Sequence, residues 1–234
     1  MSDLIASSHD KRCKYYADGQ LMVHEFRRDG KLEGERKTWH PNGQLQMQSF
    51  YRDGKAEGER KYWYENGRLY VQSFYRNGEL EGNRKEWNIN GQLWIHEFYR
   101  NGQRERERKY WYENGQLEVQ SFYRNGKREG EYKSWHVNGQ LCEHTFYRDG
   151  KREGEFKIWY TNGRCGMREL YQNGKLVDAC FTYSKKRVFL RLVKQSRKRS
   201  VSLINTMLIS DLVKKINISD NFIRNRIILF VMLN

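Results

Sequence analysis

Proline occurs once in this 234-residue chain, at Pro41, and long apolar runs are missing. A near-absence of proline leaves few interruptions to a hydrogen-bonded strand ladder. The longest apolar stretch, Ile227 to Leu233, falls far short of the roughly 20 residues a membrane-spanning helix needs. Cys13, Cys142, Cys165 and Cys180 share no repeat position and no C-x-x-C spacing, so they read as reduced thiols, not as a disulfide or zinc framework. Met1 to Asp10 is polar and lacks the apolar centre of a secretory signal, so an intracellular, soluble protein is expected. There is no Walker loop, dinucleotide fingerprint or nucleophile elbow. No enzyme, cofactor, metal or small-molecule substrate is expected.

What is present is repetition. Trp39, Trp63, Trp87, Trp111, Trp135 and Trp159 lie 24 residues apart, and Phe26, Phe50, Phe74, Phe98, Phe122 and Phe146 follow the same period. A fixed period of this length marks a repeat array. Asn-Gly or Asp-Gly dipeptides recur from 18–19 to 173–174, their spacing alternating between 11 and 13 residues. These are the strongest short hairpin signals, because a type I′ turn needs positive φ at both central residues. Fourteen such turns imply about fifteen short antiparallel strands. The expected fold is all-β: an elongated single-layer antiparallel meander of 24-residue hairpin repeats over 12–183, with a leader at 1–11 and a short tail at 184–234 read as helical.

Two-residue turns at 53–54 and 66–67 set Arg52 opposite Lys55, Tyr51 opposite Ala56, Ser49 opposite Gly58, Tyr64 opposite Leu69, Tyr62 opposite Val71 and Gly58 opposite Tyr75. One face then collects Leu45, Met47, Tyr51, Tyr62, Tyr64, Leu69, Val71 and Tyr75, as expected of a sheet with one buried side. The other collects Gln46, Gln48, Arg52, Glu57, Glu59, Lys61 and Gln72, with aromatic rows among them. Phe50, Trp63, Phe74, Trp87, Phe98, Trp111, Phe122 and Trp135 on that second face either tuck against neighbours or line an interaction groove. The recurring Gly34, Gly58, Gly82, Gly130 and Gly154 are read as slots that let a facing tyrosine ring lie over the backbone. A bulge at the turns would shift this register by one.

Tyr123 to Glu131, which reads Tyr-Arg-Asn-Gly-Lys-Arg-Glu-Gly-Glu, and Trp111 to Leu117 resemble the MORN repeat in its variant form. The resemblance covers roughly residues 14–183. It implies a β-meander acting as a scaffold, dimerisation surface or adaptor, with membrane lipids as partners in some members. The variant form is frequent in bacteria, where some members are antitoxin-like, and in large DNA viruses, which would put the protein in a host cytoplasm. Arg106 departs from the pattern where a glycine is due. Facing Tyr123, it is expected to make a cation–π contact.

The candidate chemistry is sparse. His24, His96 and His144 share a repeat position with Gln48, Gln72 and Gln120, which suits a hydrogen-bonding stripe. His40 and His136 replace Tyr64 and Tyr112 and read as packing. Acids such as Glu57 and Glu59 read as cross-strand partners of Lys and Arg. The tail differs in kind: residues 184–234 hold 12 of the 44 bases and two of the 29 acids, so +10 of the net +15 lies there. Lys185, Lys186, Arg187, Arg197, Lys198 and Arg199 are its candidate contacts with an anionic partner. The tail is read as a cap on the last strand, with contact to anionic lipid or nucleic acid as the rival reading and plain disorder as the third. The expected function is a non-enzymatic scaffold for a protein partner or a second copy. The alternatives are a membrane-peripheral scaffold, an antitoxin-like binder and, less favoured, nucleic-acid binding.

Overall fold

The computed structural model of the protein describes residues 10–181. The first nine residues, and the basic tail with its expected helix and its Lys185–Arg199 cluster, lie outside the described residues. Every described element is a strand, and seventeen antiparallel segments form one open sheet in which neighbours in sequence are neighbours in space. Two of them, β5 (Lys55–Ala56) and β8 (Glu79–Leu80), run on into β6 (Gly58–Trp63) and β9 (Gly82–Trp87) past one residue, Glu57 or Glu81. Taken as single strands they bring the total to the fifteen that the turns require.

Two kinds of turn alternate. At Asp53-Gly54 both residues have positive φ, 50° and 80°, and Arg52 pairs directly with Lys55, as a two-residue type I′ turn demands. The turn at 66–67 is different. Only Gly67 has positive φ, the Gly67 N–H reaches the Tyr64 carbonyl at 2.9 Å, and Tyr64 N–H donates to the Arg68 carbonyl at 2.9 Å. This is a three-residue loop closed by a glycine bulge, so Tyr64 faces Arg68 and not Leu69. Trp63 takes Leu69, Tyr70 is left over as a second bulge, and Tyr62 pairs with Val71 as expected. The two irregularities cancel beyond this point, so Tyr62 and Val71 keep their face, but Leu69, like Leu45 opposite Trp39, pairs with a tryptophan and leaves the face on which it was expected.

A third irregularity sits beside the recurring glycine. Tyr51 pairs with Ala56 and Glu57 N–H bonds the Phe50 carbonyl, but Gln48 pairs with Lys61, so Gly58 and Glu59 are extra residues and Ser49 lies level with Arg60, not Gly58. An insertion of two also preserves parity. The glycine is needed for its backbone, at φ 80° in Gly58, and not as a ring slot: a Cβ built there meets nothing within 4 Å. Gly58 does stand opposite Tyr75, yet the tyrosine ring does not occupy the space. Arg106 holds the same left-handed conformation at φ 65°. It pairs with Tyr123, but its guanidinium lies 4.2 Å from the centroid of Phe98, not over Tyr123.

One face is buried, and β4 (Leu45–Arg52) and β7 (Leu69–Arg76) show which. Met47, Ser49, Val71 and Ser73 are buried, while Phe50 and Phe74 on the opposite face are exposed. The largest apolar cluster, Phe156, Ile158 and Met167, lies on β15 (Lys151–Trp159) and β16 (Cys165–Gln172).

Candidate interaction face

The exposed face is a grid whose columns run across the strands. The phenylalanine column is open at Phe50 (38%), Phe74 (38%) and Phe146 (43%), and Leu170, 24 residues beyond Phe146, continues it at 41%. Phe98 and Phe122 are half-buried, Phe98 beneath Arg106. Trp63, Trp87, Trp111 and Trp135 are half-buried as well. Of the two expectations for these rings, self-packing describes the tryptophans better and an open surface describes the phenylalanines better. Exposed Arg52, Arg76, Arg100, Arg124 and Arg148 flank the phenylalanine column on the turn side.

Beside it runs a polar column. Glu59 binds Lys61 at 2.7 Å and accepts from Gln72 Nε2 at 2.5 Å, and Glu35 and Glu107 repeat the arrangement with Lys37 and Gln48, and Lys109 and Gln120. Burial pushes the Glu59 carboxyl up, but the Lys61 and Gln72 hydrogen bonds outweigh it and hold it below the usual range. His144 takes the glutamine's place against Glu131 at 2.9 Å, and His96 meets Asn83 at 3.0 Å. His24 packs edge-on to Phe26. The His/Gln position is a hydrogen-bonding stripe. His40 and His136 do more than pack: each ring Nε2 reaches the carbonyl of the next tryptophan, Trp63 or Trp159, at 2.9 and 2.8 Å.

Sequence reasoning separated Glu57 from Glu59 too little. Glu59 is the cross-strand partner, whereas Glu57 accepts the Asn77 N–H of the following tight turn. It also missed what lines the buried face. Arg36, Arg60, Arg84 and Arg108 share a column there, next to a tyrosine column. Arg60 stacks on Tyr75 at 4.4 Å, and Arg128 lies between Tyr132 and Tyr147 at 5.0 and 5.2 Å. Glu97, 2% exposed, is held by Arg104 at 2.7 Å, by Arg84 and Arg108 at 3.5 Å, and by the Tyr99 hydroxyl at 2.8 Å. The signal was available: these arginines fall on the same strand parity as Tyr51 and Val71.

No set of groups here converges on a reacting atom. Apart from His24, whose buried Nε2 has no hydrogen-bond partner, each histidine and carboxylate described above is engaged in a strand-to-strand or repeat-to-repeat bond. Among the described residues no three His, Cys, Asp or Glu side chains gather as a metal-binding group. What the face offers is area, rings and alternating charge.

The family model of the MORN repeat variant matches the chain four times, at residues 32–53, 56–78, 104–125 and 128–149. No curated protein matches it. Repeats of this family are commonly protein- or membrane-binding modules, and the family is not a known enzyme family. The matches flank a divergent central unit that carries Asn83 and Asn88, yet the strand pairing runs through that unit unbroken. With matched repeats on both sides and one continuous ladder between them, residues 32–149 are an array of MORN-variant repeats.

Proposed function

We propose that the protein is a non-enzymatic scaffold that binds a protein partner, or a second copy of itself, through the phenylalanine face. The observation that carries this reading is the open column of Phe50, Phe74, Phe146 and Leu170, rings and one leucine repeated at a fixed spacing beside a column of exposed arginines. Large apolar groups repeated on one exposed face mark an interaction site more often than isolated ones do. Aromatic and arginine side chains are the types that dominate protein interfaces. We place its action inside the cell, in a host cytoplasm if the source is viral.

The test is a full-length chain carrying Phe50→Ser, Phe74→Ser and Phe146→Ser. Thermal unfolding should change little, because the rings are already in part exposed. Self-association, measured by sedimentation, or capture of the cognate partner should fall sharply. Association unchanged by all three substitutions would remove the face from consideration.

The rival reading puts the function in the Lys185–Arg199 cluster, acting on an anionic membrane at about 1 kcal/mol per basic residue near the surface. The uneven charge supports it: the tail carries 12 bases against two acids. Nucleic acid would meet the same cluster and show a steep salt dependence. Neither needs the phenylalanine face, so the two sets of substitutions separate them.

A further inference from the structure

The three-residue loops tie each repeat to the next through the residue that opens them. Tyr16, Tyr64 and Tyr112 donate their hydroxyls to the carbonyls of Trp39, Trp87 and Trp135 at 2.7, 2.9 and 2.7 Å. His40 and His136 contact the carbonyls of Trp63 and Trp159 in the same way. At Tyr64 and Tyr160 the ring also packs on the residue six positions on. Tyr64 and Tyr70 have ring centroids 4.8 Å apart, and Tyr160 lies so close over Gly166 that a Cβ there would sit 2.6 Å from Cε2.

The central unit breaks this pattern. Asn88 opens its loop, and a short amide cannot take the place of a tyrosine reaching for the Trp111 carbonyl. Its Oδ1 turns back to accept the N–H groups of Asn90 and Gln92, both at 3.0 Å. The residue six positions on is Trp94, 44% exposed, and the next loop residue is Ile89, 56% exposed. So at the one described loop headed by asparagine, the position that the Tyr64 ring contacts in the preceding repeat, Tyr70 at 36% exposed, holds an indole 44% exposed beside an open isoleucine.

We propose that this notch, formed by Asn88, Ile89 and Trp94, is the docking site for a tyrosine side chain presented by a partner protein. The ring lies on Trp94 as Tyr64 lies on Tyr70, and the hydroxyl donates to the Trp111 carbonyl as Tyr112 donates to that of Trp135. The neighbouring loops supply the chemistry of the occupant: an aromatic ring with a donor at its tip satisfies both groups, and an aliphatic side chain satisfies only one. Trp94 is the residue type most often found as an interface anchor. The site is separate from the phenylalanine face and does not rest on it.

The probe is p-cresol, the tyrosine side chain without its backbone, titrated into the full-length chain while the Trp94 indole N–H resonance, assigned with Trp94→Phe, is followed. Toluene and 4-methylimidazole are the comparison arms. The Trp94 resonance should move with p-cresol, and toluene should bind roughly three- to tenfold more weakly, the worth of one hydrogen bond. Asn88→Tyr should raise the thermal midpoint and abolish the response by filling the notch from within. Asn88→Ala, which leaves the notch open, should keep the response, and Trp94→Ala should lose the thermal stabilisation by p-cresol. A Trp94 signal that ignores p-cresol, or a response that persists in Asn88→Tyr, overturns the site. Tighter binding of 4-methylimidazole overturns the assignment to tyrosine in favour of histidine.

Discussion

The Glu57 carboxylate accepts the backbone N–H of Asn77 at 2.9 Å, twenty residues along the chain. The same bond joins Glu33 to Asp53, Glu81 to Asn101, Glu105 to Asn125, Glu129 to Asp149 and Glu153 to Asn173. From Asp53-Gly54 onward each two-residue turn is also pinned by its glycine, as Gly78 N–H donates to the Ala56 carbonyl at 2.8 Å. A turn in this array is therefore held by the repeat before it, so that stability is passed along the chain as a sum of nearest-neighbour contacts.

Glu57→Ala should cost about 1.5 kcal/mol, the low end for a hydrogen bond to a charged group, because the turn is solvent-exposed. Glu57→Gln keeps an acceptor and should cost less. Urea denaturation of the two variants measures the difference. Equal stabilities of the alanine variant and the parent would show that the bond contributes nothing.

At Gly58 the conformational and steric explanations predict opposite orders. A Cβ would meet no atom within 4 Å, so space is not the constraint, while φ 80° is unfavourable for any L-residue with a side chain. Gly58→Ala should cost roughly 1–2 kcal/mol. Gly58→Asn should cost less despite its larger side chain, because asparagine tolerates the left-handed region. Were the site a steric slot, asparagine would be the worse of the two. Gly166 is the contrasting position: its φ is not positive, and Tyr160 stands where a Cβ would go, so there Tyr160→Ala should relieve much of the damage done by Gly166→Ala.

Glu97 makes the buried face acid-sensitive. Burial pushes its carboxyl up, but the Arg104 and Tyr99 hydrogen bonds and the Arg108 charge outweigh that and leave it below 4.5. A carboxylate depressed in the folded state stabilises the fold above its unfolded value, and that contribution is lost as pH falls below about 4.5 toward the folded one. Glu97→Gln should flatten the stability profile in this acid range. At neutral pH it should cost about 3 kcal/mol, since it leaves Arg84, Arg104 and Arg108 without their shared counter-charge. Parallel pH profiles of the variant and the parent would exclude Glu97 as the source of the acid response.

The turns were legible because Asn-Gly and Asp-Gly carry their own conformational requirement. Except at Leu45 and Leu69, the face assignment survived three irregularities that were not legible. Parity is insensitive to the two-residue insertion at Gly58-Glu59, and the Gly67 loop and the extra Tyr70 cancel each other. The glycine was misread because its pairing with Tyr75 is real, yet pairing across a ladder does not fix where a ring lies. The arginine column of the buried face was overlooked because charged residue types suggest solvent, although Arg60 shares the parity of Val71. Asn88 was invisible for another reason: its meaning comes from the tyrosines and histidines that head the other loops, and only the bonds to the tryptophan carbonyls reveal what it fails to do.

Two sets of substitutions in the full-length chain separate the readings of function. The first is Phe50→Ser with Phe74→Ser and Phe146→Ser; the second neutralises Lys185, Lys186, Arg187, Arg197, Lys198 and Arg199 to serine. Outside residues 184–234 the chain has 32 bases and 27 acids, interleaved along the same strands, so its long-range field is weak and screened within about 8 Å at physiological salt. Binding to anionic liposomes or to DNA should therefore fall with the second set, be untouched by the first, and weaken steeply between low and physiological salt. Protein or self-association should behave in the opposite way, lost with the phenylalanines and nearly independent of salt, because burial of rings carries no counter-ion cost. Salt-sensitive liposome binding that survives neutralisation of the tail would move the basic function onto the exposed arginine column of Arg52, Arg76, Arg100, Arg124 and Arg148. Association that survives loss of the three phenylalanines would exclude the face proposed for it.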